Sequence, residues 1–432
     1  MRTTLERLFR LGENHTTVPT ELAAGLTTFL TMSYILVVNP QILSEAGIDR
    51  GAAFTATCLA AALGSLAMGL IANYPIALAP GMGINAYFTY TVVLGMGVPW
   101  QTALGAVFLS GLLFLLVSVL KVREWLVNSI PLPLKLGIGA GIGLFLGLLG
   151  LQGMGVVVAK PATLIGLGDI SDPKVLIACA GFVLMAGLAA RRIPGAILIA
   201  VAAAALAGVP LGLTAFSGLV SAPPSLAPTF LQLDLAGALR LSMTGVVFAF
   251  FLVGLLDNMG TLIATLGRAG LMRADGTVPR LGRVMLADSG GAMVGAALGT
   301  SNTVSYIESA AGITAGGRTG LASVATAALF LACLLIAPLA LAVPAFATAP
   351  ALLFVALAMM APLKDLPWDD PAEALPAALT ALAIAFTFSI ATGIGLGFIA
   401  HAGVKLIAGR GREVSGAVWA IALASAVLMA VE

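Results

Sequence analysis

The chain has 432 residues, of which 60% are hydrophobic and only 9% charged, with a formal net charge of +2 and a mean hydropathy of +1.07. A soluble domain carries roughly a quarter charged residues. The composition therefore excludes an ordinary soluble enzyme, and repeated apolar runs of about 17–25 residues between short polar loops describe a polytopic helical membrane protein. The runs are continuous rather than alternating, which argues against a transmembrane β-barrel, and no basic cluster points to nucleic acid.

Residues 1–20 are polar and of mixed charge, without an apolar core or a cleavage site, and read as a cytoplasmic N-terminus rather than a signal peptide. Apolar spans are predicted at 21–39, 51–72, 78–93, 101–120, 134–152, 174–190, 194–214, 241–266, 283–298, 303–314, 319–341, 346–363, 374–390 and 393–408, fourteen in all. A further apolar tail at 415–431 reads as a partial or interfacial segment. With the N-terminus inside, outside loops would carry only Arg50, Lys160, Lys174 and Arg240. Every other Lys and Arg, including Lys121, Arg123, Arg273, Arg283, Lys405, Arg410 and Arg412, would fall inside, as the positive-inside rule requires.

Two segments are unlike ordinary spans. Pro75-Ile-Ala-Leu-Ala-Pro-Gly-Met-Gly-Ile-Asn85-Ala-Tyr-Phe88 and Gly299 to Gly312 are short and broken by Pro, Gly or small polar residues. They are the third and the tenth apolar segments, seven apart. Interrupted segments at corresponding places in two halves point to a transporter binding site, and seven spans per half would invert the halves relative to each other.

Buried polarity concentrates at Asp257 in the eighth span, Asp288 near the start of the ninth, Glu308 in the tenth and Asn85 in the third. An intramembrane carboxylate must be neutralised, paired or exposed to a water-filled site. Ser305-Tyr-Ile-Glu308 also fits a capping box, in which Glu308 would serve a helix start rather than a solute. Even so, it implies a helix beginning in mid-membrane, with N–H groups facing a cavity. Asp288, close to Arg283, has structural and coupling readings of equal standing. Asn85 either bonds nearby backbone or, as donor and acceptor, suits a planar heterocycle. Gly81 and Gly83 read as conformational, since no strand–helix dinucleotide unit surrounds them. Cys58, Cys179 and Cys333 share no metal-ligand spacing and read as small hydrophobes; no metal, cofactor or hydrolytic triad is predicted. Two acids, an amide and hydroxyls suit a cation or a neutral molecule rich in N–H donors, and a carboxylate that gains and loses a proton would couple transport to a proton gradient.

These motifs resemble the nucleobase–cation symporter 2 superfamily, specifically its AzgA-like purine (hypoxanthine, guanine, adenine) permeases. The resemblance runs over nearly the whole chain. It rests on Ala24-Gly-Leu-Thr-Thr-Phe-Leu-Thr-Met-Ser-Tyr-Ile35 with Val38-Asn-Pro40, Ala79 to Phe88, Asp257-Asn-Met-Gly-Thr261, Ala287-Asp-Ser289, Leu298 to Ser301, Tyr306 to Ser309, and Ala311 to Gly320. It implies an all-α protein of two inverted seven-span repeats. Residues 21–152 would hold core spans 1–4 and the start of the gate, 153–240 gate spans 6–7, 241–341 core spans 8–11, and 342–432 gate spans 12–14 with the tail. Spans 3 and 10 would be half-helices preceded by short extended segments that pair near the midplane. The family's substrate acids fall on Asp257 and Glu308 and its third-span polar residue on Asn85. One departure is clear: the family reads Asp-x-Phe-Asp-Thr in the eighth span, where this chain has Gly254, Leu256 and Asn258 around Asp257.

The resulting expectation is a proton-coupled, elevator-type importer of purine nucleobases in the inner membrane, working as a homodimer. Asp257, Glu308, Asn85, Ser301, Asn302 and Ser309 would bond the base, Phe88 or Tyr306 would contact its ring, and Asp288, Glu308 and Asp257 would handle the proton. The rivals are another solute in the same fold (uracil, xanthine, urate or an anion, the last disfavoured by two site acids), a passive channel-like protein, and an intramembrane enzyme.

Overall fold

In lipid every backbone polar group must be satisfied internally, so apolar sequence folds into helices wherever its breakers allow. The computed structural model describes residues 2–119, 130–161, 163–216, 218–269, 271–272 and 278–431; Lys121, Arg123 and Arg273, which the orientation argument uses, lie outside these. The chain opens with α1 (Arg2–Phe9), then α2 (Val18–Met32), capped by Thr17, and α3 (Ile35–Glu45) beyond a turn at Ser33–Tyr34. α4 (Arg50–Ala67), capped by Asp49, runs into a π-helical turn at Met68–Ala72. The chain then extends as β1 (Leu78–Pro80) and restarts as α5 (Met82–Ala86), which continues as π-helix over Tyr87–Gly95.

Next come α6 (Trp100–Val119), α7 (Leu132–Gly153), a hairpin of β2 (Val157–Lys160) and β3 (Leu164–Leu167), α8 (Pro173–Ala190), α9 (Ala196–Ala207) and the short α10 (Leu235–Ala238). The second half begins with α11 (Thr244–Ala269) and α12 (Leu281–Leu298), extends as β4 (Thr303–Ser305), and restarts as α13 (Ser309–Thr314). It ends with α14 (Gly320–Ala332), α15 (Ala337–Ala342), α16 (Ala345–Met360), α17 (Pro371–Thr387), α18 (Ile390–Ile407) and α19 (Gly416–Val431).

Among the described residues, nine helical stretches are long and apolar enough to cross a membrane, accompanied by the shorter apolar helices Ala196–Ala207, Pro371–Thr387 and Gly416–Val427. One predicted span shortens. The span expected at 194–214 is helical only over α9, and the connection after it carries Pro210, Pro223 and Pro224, which cannot continue a helix. That connection is bonded to the end of α12, where Thr229 Oγ1 donates to the Leu298 carbonyl (2.9 Å) and Leu231 N to that of Ala297 (2.8 Å). The tail forms α19, which packs on α18.

The helices pack in two groups. In one, α2, α3, α4, α6, α11, α12 and α14 surround β1 and β4; in the other, α7 lies against α16 and α17, with α8, α9 and α18 around them. Lys405, within the span predicted at 393–408, is buried on α18, where its ammonium meets Glu373 (2.5 Å) and Glu413 (2.6 Å). The network continues through Arg410 to Asp370 (2.7 Å) and so ties the start of α17 to the segment leading into α19.

Candidate functional site

β1 and β4 cross antiparallel, pairing Leu78 with Ser305, Ala79 with Val304 and Pro80 with Thr303. The ladder is lengthened at both ends, by Gly81 N to the Asn302 carbonyl and Tyr306 N to the Ala77 carbonyl, each at 2.9 Å. All six strand residues are buried, so the extended backbone is enclosed by protein, the condition under which non-helical backbone survives at membrane depth. Each strand leads into a short helix, α5 and α13, so the two interrupted segments face each other at one crossing.

Side chains rivet this crossing from every side. Tyr306 donates its hydroxyl to the Pro80 carbonyl (2.6 Å), and Ser309 Oγ accepts the Ala77 N–H (3.0 Å). Ser305 donates its hydroxyl to Asp288 Oδ1 (2.7 Å) on α12, and its N–H goes to Asn258 Oδ1 (2.8 Å) on α11. Asp288 is fully buried behind β4. One expectation is corrected. The capping box does not form, because Ser305 sits in a strand with its hydroxyl on Asp288, and the Glu308 carboxylate makes no capping bond to α13. Instead, Glu308 Oε1 accepts the hydroxyl of Tyr34 (2.8 Å).

Asp257 and Glu308 lie on packed neighbours, α11 and the start of α13. Both are half-buried, whereas Asn85, Phe88, Ser301, Asn302, Tyr306 and Ser309 are buried. The two acids thus keep accessible surface beside buried neighbours, and among the described residues neither forms a salt bridge. Asn85 bonds a side chain rather than nearby backbone: its Nδ2 donates to Asn39 Oδ1, and Asn39 Nδ2 reaches Thr57 Oγ1 (2.7 Å) and Thr300 Oγ1 (2.9 Å). Among the described residues Asn85 Oδ1, Ser301 Oγ and Asn302 Oδ1 have no hydrogen-bond partner. Phe88 packs inside the main apolar cluster.

The departures in the eighth span have structural counterparts. A Cβ at Gly254 would stand 2.9 Å from Asn302 Nδ2, so the Asn302 amide fills the space beside the residue that replaces an acid. Asn258 supplies the oxygen that holds Ser305 N. Gly83 is required by close approach, since a Cβ there would lie 2.4 Å from Ile142 Cγ2 on α7.

Sequence reasoning passed over Tyr34 and Asn39, although both lie in quoted motifs. The available signal was a polar atom in the middle of an apolar run. Two cavities lie away from the acids. One of about 370 Å3 is bordered by Gln152, Asp172, Lys174 and Phe346, where α7, α8 and α16 meet. One of about 50 Å3 lies on the seam between α3 and α16, with Gln41, Glu45, Tyr90 and Thr348.

Solved membrane transporters share the overall fold. The transmembrane domain of the cyanobacterial bicarbonate transporter BicA superposes with a TM-score of 0.66 at 15% identity, over 86% of this chain and 96% of that one. The murine anion transporter Slc26a9 in its inward-facing state gives 0.68 at 12%, over 90% and 68%. These similarities establish the fold alone. In sequence, the Permease family model (Xan_ur_permease) matches residues 19–396. The chain is 46% identical to the adenine permease AdeP of Escherichia coli, over 97% of this chain and 94% of AdeP. It is 43% identical to the guanine/hypoxanthine permease PbuG of Bacillus subtilis, over 95% and 96%. The chain belongs to this permease family, the nucleobase–cation symporter 2 family. Its relatives are permeases and not enzymes, which retires the intramembrane-enzyme reading.

Proposed function

We propose that the protein is a secondary active transporter that imports purine nucleobases together with protons by an elevator-type movement. The observation that carries this reading is the pair of accessible carboxylates, Asp257 and Glu308, at the β1–β4 crossing of a chain so similar to adenine and guanine/hypoxanthine permeases. Ionised carboxylates only accept hydrogen bonds, and purines present ring and exocyclic N–H donors, so the two sets match. Asn302, Ser301 and Asn85 offer the oxygens that complete the recognition, and Phe88 and Tyr306 support the wall of the site. A proton carried by Asp257, Glu308 or Asp288 couples the cycle to the membrane gradient. The anion reading, which the fold neighbours would favour, meets two carboxylates with no paired cation among the described residues.

In this reading fourteen segments form two inverted repeats. The group around β1 and β4 is the moving core, and the group around α7 is the gate through which a homodimer assembles. The N-terminus faces the cytoplasm at the inner membrane, as the distribution of Lys and Arg supports.

The test is uptake of labelled hypoxanthine, adenine and guanine by permease-deficient cells. Saturable uptake abolished by a protonophore is expected for the wild type, and uptake is lost in Asp257→Ala with Glu308→Ala. Normal uptake by that double variant would overturn the site, and uptake indifferent to the protonophore would favour a passive channel.

A further inference from the structure

We propose that Tyr34 is the positioning residue of Glu308: its hydroxyl holds one carboxylate oxygen so that the other is presented to the solute. The inference rests on the site proposed above and adds a residue from the opposite half of the chain.

Tyr34 owes its place to a break. α2 ends at Ser33, whose N–H still bonds the Phe29 carbonyl, and Tyr34 opens α3 with helical φ and ψ of −56° and −24°. That turn sets the ring beside the start of α13, 274 residues further along the chain, where the hydroxyl donates to Glu308 Oε1 at 2.8 Å. One turn earlier, Thr31 Oγ1 donates within α2 to the Thr28 carbonyl (2.8 Å) and lies 3.4 Å from the Glu308 carbonyl, so the α2–α3 segment approaches Glu308 at both side chain and backbone.

Exposure separates the roles of the two residues. Tyr34 is 1% exposed, whereas Glu308 keeps accessible surface. A solute can reach the acid but not the phenol, so Tyr34 acts on the solute only through Glu308. A glutamate has three side-chain torsions, and fixing them before binding removes an ordering cost from the binding step. Tyr306, the other tyrosine at the crossing, has its hydroxyl on Pro80 and is not available for this task.

The competing explanation is that a buried tyrosine hydroxyl needs some partner and Glu308 happens to provide it. A double-mutant cycle separates the two. Purified wild type, Tyr34→Phe, Glu308→Gln and the double variant are titrated calorimetrically with hypoxanthine and adenine, and the melting temperature of each unliganded protein is recorded. For a positioning role, Tyr34→Phe weakens binding about tenfold, the scale of one hydrogen bond to a charged group. The same change has little further effect once Glu308 is Gln. Binding by Tyr34→Phe equal to wild type, or losses that simply add in the double variant, would overturn the proposal. If Tyr34→Phe does not fold, a fluorotyrosine at position 34 keeps the ring and hydroxyl while altering donor strength, and unchanged affinity would again overturn it. Wild type that binds neither base would sink the proposed function itself, and this inference with it; a binding wild type with an indifferent Tyr34 variant sinks this inference alone.

Discussion

Asn258 does for the backbone what Tyr34 does for Glu308. Its Oδ1 accepts the Ser305 N–H at 2.8 Å in a fully buried setting, where an unpaired donor has no water to turn to. Leaving such a group unsatisfied costs roughly 1–3 kcal/mol. Asn258→Leu is therefore expected to lower stability by about that amount and to loosen β4 next to Glu308, reducing base uptake. Asn258→Thr introduces the residue that the family resemblance implies at this position and retains an acceptor oxygen, so its loss should be smaller. Thermal unfolding in detergent compares the two, and a Leu variant as stable as wild type would show that the amide does not hold the strand. The same residue gives the departure from the family pattern a physical sense: the amide reaches α11's neighbour strand while Gly254, one turn earlier, makes room for Asn302.

At the scale of elements, the joints between the two halves rest on buried polar groups that cap or clasp a distant backbone. Glu21, in the first turn of α2, is fully buried and accepts the N–H groups of Arg318 (2.8 Å), Thr319 (3.2 Å) and Ala322 (3.3 Å) at the start of α14. A carboxylate there satisfies donors that the helix leaves open and complements its positive end. Glu21→Ala should destabilise the protein by roughly 2–3 kcal/mol, with Glu21→Gln, which keeps one acceptor oxygen, falling between. Equal melting temperatures for Ala and wild type would contradict the cap. Nothing local marks Glu21 for this role, since Arg318 lies 297 residues away, and in the sequence it looks like an ordinary first-turn acid. Asp257, Glu308 and Asn85 were legible because polarity inside an apolar run is conspicuous. Three-residue strands have too few positions to show a period, so β1 and β4 came into view only through the family resemblance. The capping box misled because the pattern is local, whereas the competing partner of Ser305, Asp288, comes from the preceding helix. Tyr34 was passed over because tyrosine is grouped with the hydrophobic residues, although its hydroxyl is a polar atom in an apolar run.

At the scale of the whole molecule, the proposed elevator movement would slide the two helix groups past each other, so bonds across their seam would open in each cycle. The seam between α3 and α16 carries one such bond, in which Gln41 Oε1 accepts the Thr348 hydroxyl at 2.8 Å; a second ties α4 to the connection between α15 and α16, where Arg50 donates to the Val343 carbonyl at 2.9 Å. The cavity of about 50 Å3 lies beside the first of them, leaving space into which the seam can open. A reversible link across Gln41 and Thr348 should therefore arrest transport without touching the acids. Cysteines at both positions, with Cys58, Cys179 and Cys333 replaced, would be joined by a short bifunctional methanethiosulfonate, which forms a reducible disulfide to each cysteine and releases sulfinate. Uptake should fall to background after linking and return on reduction. Equilibrium binding of base to the linked protein should persist, because Asp257 and Glu308 lie outside the seam's lining. Uptake at the unlinked rate with the link complete would mean that the two groups stay fixed here throughout the cycle, and the movement would have to be sought within the group that surrounds β1 and β4.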